Sequence, residues 1–219
     1  LTIKVVKRKL IFVEMTIKDL GGQIESVWDG LRPLTKQMLV GALQAKSGNA
    51  VVAPTQKFSY DTQSDWELSR LLTALDEQLK DSEVKRNPEK HAEVSQFAET
   101  IVSVLQAQTE SAEVFIQLAE RALEQKDYKQ IDALADALGE RFSAGEMCEI
   151  VRQAENPAIR AIAMETIPLM SVEEIVPSLD DPIYEDIARF ALEQKAIEYE
   201  SEEARRVLEN WFSDEELPI

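Results

Sequence analysis

Apolar residues return at every third or fourth position, almost without interruption, from Ser64 to the end of the chain. Leu68, Leu71, Leu72, Leu75 and Leu79 form one series, and Phe97, Ala98, Ile101, Val102 and Leu105 form the next. Such spacing places side chains on one stripe of a helix, and that stripe must be covered to be stable. The same rhythm predicts a helix over residues 111–125, carrying Val114, Phe115, Leu118, Ala119, Ala122 and Leu123. Another follows Asp127 with Ile131, Leu134, Ala135 and Leu138, and a last one starts near Ser201 with Val207, Leu208, Trp211 and Phe212.

Helix starts are clearly marked between these stripes. Ser64 with Glu67, Ser143 with Glu146, and Ser171 with Glu174 have the spacing of capping boxes, in which hydroxyl and carboxylate satisfy the free amides of a first turn. Asn87-Pro88, Asn156-Pro157 and Asp181-Pro182 place a capping side chain before a proline, whose missing N–H costs nothing there. The turns are short, which forces successive helices to pack as antiparallel hairpins. No stretch alternates as a strand would, so the fold class expected is all-α.

Upstream of Ser64 the text differs. Gly21 and Gly22 break the chain before a short helix around Ile24, Val27, Trp28 and Leu31. Pro33 then opens another, with Leu34, Met38, Ala42 and Leu43 at helical spacing. Residues 46–64 have no sustained period and read as a long loop, which compact domains keep only for a reason. Residues 1–14, with four basic side chains and one acid, precede Met15, a natural initiator, and read as an upstream extension or basic arm. The expected organisation is therefore residues 1–14, an N-terminal helical piece with its loop over 15–63, and a helical-repeat domain over 64–219.

One phrase is written twice. "EIVRQAENPAIRAIAMETI" begins at Glu149 and "EIVPSLDDPIYEDIARFAL" at Glu174, 25 residues later, with six identities in 19 positions. Ordinary composition gives roughly one or two. Ile150-Val151 and Ile175-Val176 fall on a first short helix, and Pro157 and Pro182 turn the chain. Ile162-Ala163 and Ile187-Ala188 then set a bulky and a small residue side by side on a second helix. Each such unit leaves an apolar face that its neighbour must cover.

A helix, a turn with Asn-Pro or Asp-Pro, and a helix carrying Ile-Ala resemble the HEAT-like α-solenoid repeats and the shorter leucine-rich variant repeats. The resemblance covers residues 145–194 closely and 111–212 loosely. It departs from the HEAT pattern in its period, which is short of the roughly 40–47 residues usual there. The Val-Arg pair expected after the proline is Ile159-Arg160 in one copy and Tyr184-Glu185 in the other. The resemblance implies hairpins stacked as a right-handed solenoid, against the plainer expectation of an irregular helical bundle. It also implies a surface that binds macromolecules.

Charge narrows the partners. The net charge is −17, and it is unevenly spread: residues 1–110 hold 15 acids against 14 bases, residues 111–219 hold 26 against 10. Such a surface repels nucleic acid and attracts basic proteins. No apolar run approaches the roughly 20 residues that span a bilayer. The lone Cys148 cannot form an internal disulfide and fits a reducing, cytoplasmic setting.

The search for chemistry returns little. His91 is the one histidine, so no zincin pair exists, and position 88 is proline where a di-iron motif wants glutamate. "GALQAKSG" at 41–48 mimics a phosphate loop, but its lysine comes one position early and the second glycine is missing. Glu146 and Glu149 flank Cys148 and disfavour its thiolate, so it reads as a buried structural residue. Acidic pairs such as Glu173-Glu174 and Asp180-Asp181 cluster at helix starts, where the macrodipole favours them. No catalytic residue, cofactor or metal ligand is assigned.

The function expected is a non-enzymatic scaffold or adaptor that binds another protein, with contacts from Arg160, Tyr184 and Arg189 and with self-association as a further option. The alternatives are an acidic nucleic-acid mimic that inhibits a basic protein, and an enzyme with a HEAT-like body, such as a lyase. Neither nucleic acid nor membrane is expected as a partner.

Overall fold

The computed structural model describes residue 17 and residues 19–46 and 60–215, without the side chains of residues 44, 46 and 212–215. The expected N-terminal arm, most of the 46–64 loop and the side chain of Phe212 lie outside the described residues. The protein is all-α: helices account for all regular structure among the described residues. They run α1 (Gly22–Gly30), α2 (Pro33–Lys46), α3 (Thr62–Lys80), α4 (Ser82–Arg86), α5 (Pro88–Gln108) and α6 (Ala112–Gln125). There follow α7 (Tyr128–Arg141), α8 (Ala144–Gln153), α9 (Pro157–Thr166), α10 (Val172–Ile175), α11 (Glu185–Glu198) and α12 (Glu202–Glu215). Short 3-10 turns at Ile167–Leu169 and Val176–Ser178 extend α9 and α10. None of the described helices is long and apolar enough to cross a membrane. The chain divides into two compact units, Leu1–Thr109 and Glu110–Ile219.

In the first unit, α3 and α5 pair lengthwise, bridged by the single-turn α4, while α1 packs on α3 and α2 on both α3 and α5. Leu68, Leu71, Leu72 and Leu75 of α3 and Ala98, Ile101 and Leu105 of α5 are fully buried. Each large side chain so buried removes apolar area worth about 2 kcal/mol from water. Trp28 of α1 closes the core against Phe97, ring centroids 6.2 Å apart. Gly21 caps α1 with φ of 142°, a conformation L side chains avoid, and a Cβ there would sit 3.0 Å from Gln78 Oε1.

Two sequence expectations fail in this unit. Ser64 does not cap α3; Asp61 does, its Oδ1 accepting the Ser64 amide at 2.8 Å, and Glu67 is buried instead of reaching back to the helix start. Aspartate caps as well as serine, and here it is also held by Arg32. On α2 the buried residues are Thr35, Leu39 and Val40, while Leu34 is exposed. The stripe is thus rotated from the one its leucines and methionine suggest.

In the second unit, hairpins follow one another: α6 with α7, α8 with α9, and α10 with α11. First helices pack on first helices, α6 on α8 and α8 on α10. Second helices do likewise: α7 packs on α9, and the 3-10 extension of α9 packs on α11. Finally α12 packs against α11. Phe115, Leu118, Leu138, Met147, Ile150, Ile159, Ile175 and Leu192 fill the space between the layers. Ser143 caps α8, but Glu146 does not complete the box: its carboxylate accepts the Ala112 amide at 2.7 Å and so caps α6. Ser171 and Glu174 form the full reciprocal box.

The two copies of the repeated phrase share detailed geometry. Asn156 Oδ1 accepts the Ala158 amide and Asp181 Oδ1 the Ile183 amide, both at 2.9 Å. The carbonyl of Asn156 accepts the amides of Ile159 and Arg160, as that of Asp181 accepts Tyr184 and Glu185. Ile150 and Ile175, Ala163 and Ala188, and Ile167 and Leu192 are fully buried in pairs 25 residues apart. The copies differ in their helices. Pro157 is the first residue of α9, whereas three turn residues separate Asp181 from the start of α11, and Pro177 cuts α10 to a single turn.

Candidate functional site

A polar cluster gathers in the second unit where the repeated phrases meet. Glu149 of α8 accepts Arg152 Nε at 2.7 Å and Nη2 at 2.5 Å, the Gln153 amide, and the Tyr184 hydroxyl at 3.1 Å. The Arg152 fork, chiefly, holds its carboxyl down at about 2. Burial first, and then the adjoining Glu149 carboxylate, push the Tyr184 phenol up. Both groups therefore keep their charge states across the physiological range, and the carboxylate has its lone pairs engaged. This cluster ties the first copy of the repeated phrase to the second.

The residues expected to contact a partner are engaged in different ways. Arg160 Nη1 donates to the carbonyls of Ala154 at 2.8 Å and Glu155 at 3.2 Å, satisfying the C-terminal end of α8, where a cation also complements the macrodipole. Tyr184 is half-buried against Glu149. Arg189 is half-buried on α11 and pairs with Asp186 at 2.7 Å and Glu193 at 3.4 Å, both on its own helix. Arg160 and Tyr184 thus have intramolecular work to do, while Arg189 neutralises part of its own surroundings.

Cys148 is fully buried, and burial pushes its thiol up to about 11; Ser178 hydrogen-bonds it in the opposite sense and the Asp181 charge adds to the rise. His91 stands exposed in the first turns of α5. Among the described residues, no three or more His, Cys, Asp or Glu side chains are grouped so as to hold a metal ion.

In the first unit an ionic network gathers around the buried Glu67. Glu67 of α3 accepts the Arg32 amide at 3.0 Å, Arg32 Nε at 3.2 Å and the Thr35 hydroxyl, while Arg32 forks onto Asp61 at 2.7 and 2.9 Å. Every contact serves to anchor the α1–α2 junction to the start of α3. A shallow groove of about 410 Å³ runs between α2 and α5, past Met38, Ala42, Thr100 and Val104. Its lining is mostly apolar.

What sequence reasoning missed lies on α11. Its buried face is made of Ala188, Ala191, Leu192 and Ala196, yet large apolar side chains also stand on the opposite side. Phe190 is 48% and Ile197 76% exposed, and Ile183, in the turn before the helix, is 63% exposed. The signal was present as three large apolar residues at seven-residue spacing, out of step with the small-residue stripe.

The division of charge follows the division of the fold. Residues 1–109 hold 14 acids and 14 bases, whereas residues 110–219 hold 27 acids and 10 bases. The whole net charge thus belongs to the second unit. Comparison with family models, with curated proteins and with solved structures found no match.

Proposed function

We propose that the protein is a non-enzymatic scaffold whose second unit is a short array of HEAT-like helical repeats that grips another protein. The observation that carries this reading is the layered packing of three hairpins, first helix on first helix and second on second, with the same Asx-Pro turn recurring 25 residues on. Arrays of this kind bury a continuous core between neighbours and leave long faces for a partner. The polar clusters described above are consumed by helix ends and hairpin junctions, which agrees with a binding role more readily than with a reaction centre. Affinity capture from the native host, read by mass spectrometry and paired with sedimentation of the purified chain, tests the reading. A specific protein partner is expected; no partner together with no self-association would overturn it.

A second reading is an acidic mimic of nucleic acid that occupies a basic protein. It is favoured by the confinement of the net charge to the second unit. Salt separates the two. A mimic held by surface charge dissociates as the Debye length shrinks to about 3 Å near 1 M salt, whereas apolar contacts persist.

A further inference from the structure

We infer that the outward pole of α11 is a docking stripe for a basic amphipathic helix of a partner protein. The inference rests on the scaffold reading and names the surface and partner chemistry within it. On the helical wheel, Phe190 and Ile197 fall opposite the Ala188, Ala191, Leu192 and Ala196 face that is packed inward, and α12 leaves them open although it packs on α11. They stand two turns apart, about 10 Å along the axis, the repeat at which a second helix presents successive apolar knobs. Ile183 extends the apolar surface into the turn ahead of the helix.

The rim decides the occupant. Residues 180–203 contain nine carboxylates and two cations, Arg189 and Lys195. Arg189 is already paired with Asp186 and Glu193, and Lys195 donates to the Pro168 carbonyl at 2.9 Å and lies over the Tyr199 ring. Asp186 flanks the stripe with its side chain 88% exposed. An apolar ridge with Asp186 and Glu193 along one side, on a unit of strongly negative charge, repels anionic lipid surfaces and phosphates, and it favours an apolar face flanked by lysine and arginine. A helix with apolar residues at heptad spacing and basic flanks meets both demands.

The test uses the full chain and a fluorescent synthetic helix of about five turns, with leucine at a and d positions and lysine elsewhere. Its counterpart carries glutamate in place of lysine. Anisotropy is expected to show binding of the basic peptide and none of the acidic one. The Phe190→Ser/Ile197→Ser double variant is expected to weaken binding about tenfold or more. Tyr128→Ser, at a comparably exposed residue of α7, is expected to leave it unchanged. Circular dichroism confirms that these surface variants remain folded. Equal affinity of the double variant, equal binding of both peptides, or no binding of the basic one would overturn the inference. So would self-association of the wild type that the double variant abolishes, since a second copy would then cover the stripe. If the double variant still captures the host partner at full strength, this surface falls while the scaffold reading stands; if the wild type captures nothing and does not self-associate, the scaffold reading falls first.

Discussion

Tyr184, in the turn that leads into α11, donates its hydroxyl hydrogen to Glu149 Oε2 of α8 at 3.1 Å, tying the second copy of the repeated phrase to the first. Removing the hydroxyl by Tyr184→Phe is expected to cost about 1 kcal/mol. The Glu149 carboxyl lies at about 2 in the folded chain, below its unfolded value of about 4.3. Its contribution is therefore complete above the unfolded value and is lost as pH falls through the folded one. Arg152→Ala is expected to raise the Glu149 value most and Tyr184→Phe less, each moving acid unfolding to higher pH. Carboxylate NMR titration checks this, and a wild-type Glu149 titrating near about 4.3 would count against the described cluster.

The Arg32–Glu67 pair is the corresponding anchor of the first unit. Arg32→Met takes the guanidinium from a buried carboxylate that keeps the position-32 amide and the Thr35 hydroxyl, and is expected to cost about 2 kcal/mol. Glu67→Gln keeps the volume and loses the charge, and about 2 kcal/mol is expected. The double variant is expected to cost less than the two summed, because neither charge is left alone. Urea unfolding followed through the near-UV signal of buried Trp28 measures all three, and strict additivity would contradict the pairing.

The two Asx-Pro turns predict matched mutational behaviour. Asn156→Ala and Asp181→Ala each remove the acceptor for an amide two residues on and are expected to cost about 1 kcal/mol. Asp181→Asn preserves the acceptor and is expected to stay within about 0.5 kcal/mol of wild type. Thermal unfolding distinguishes these outcomes, and an asparagine as damaging as alanine would show that the charge, and not the turn, is what matters there.

Cys148 is expected to resist thiol reagents in the folded chain. Its thiol is raised to about 11 and wholly shielded, so at mildly alkaline pH the native rate is expected to fall at least about a hundredfold below that of the urea-unfolded chain. A native rate close to the unfolded one would mean that α8 opens freely.

The sequence made the secondary structure legible because helix stripes and caps are local signals. Asn87, Asn156 and Ser171 cap the helices they were expected to cap. The repeated phrase also pointed correctly to a recurring turn. What local text could not carry was choice among competing partners. Glu67 looked like half of a capping box, yet Arg32, 35 residues earlier, takes its carboxylate; Glu146 likewise caps α6, 34 residues upstream. The intramolecular bonds of Arg160 and Tyr184 were hidden for the same reason, since the carbonyls and carboxylate that hold them are fixed only once the hairpins close. The outer stripe of α11 was overlooked because three of the four residues of its buried face are alanines, which a search for large apolar residues passes over.

Native-state hydrogen exchange across residues 112–215 tests the proposed repeat array most directly. Stacked repeats open in graded, neighbour-dependent steps. The account predicts that α12 and the α10–α11 hairpin exchange first, as separate groups, while α6 through α9 remain protected longest. A single opening free energy shared by every helix from α6 to α12 would contradict it.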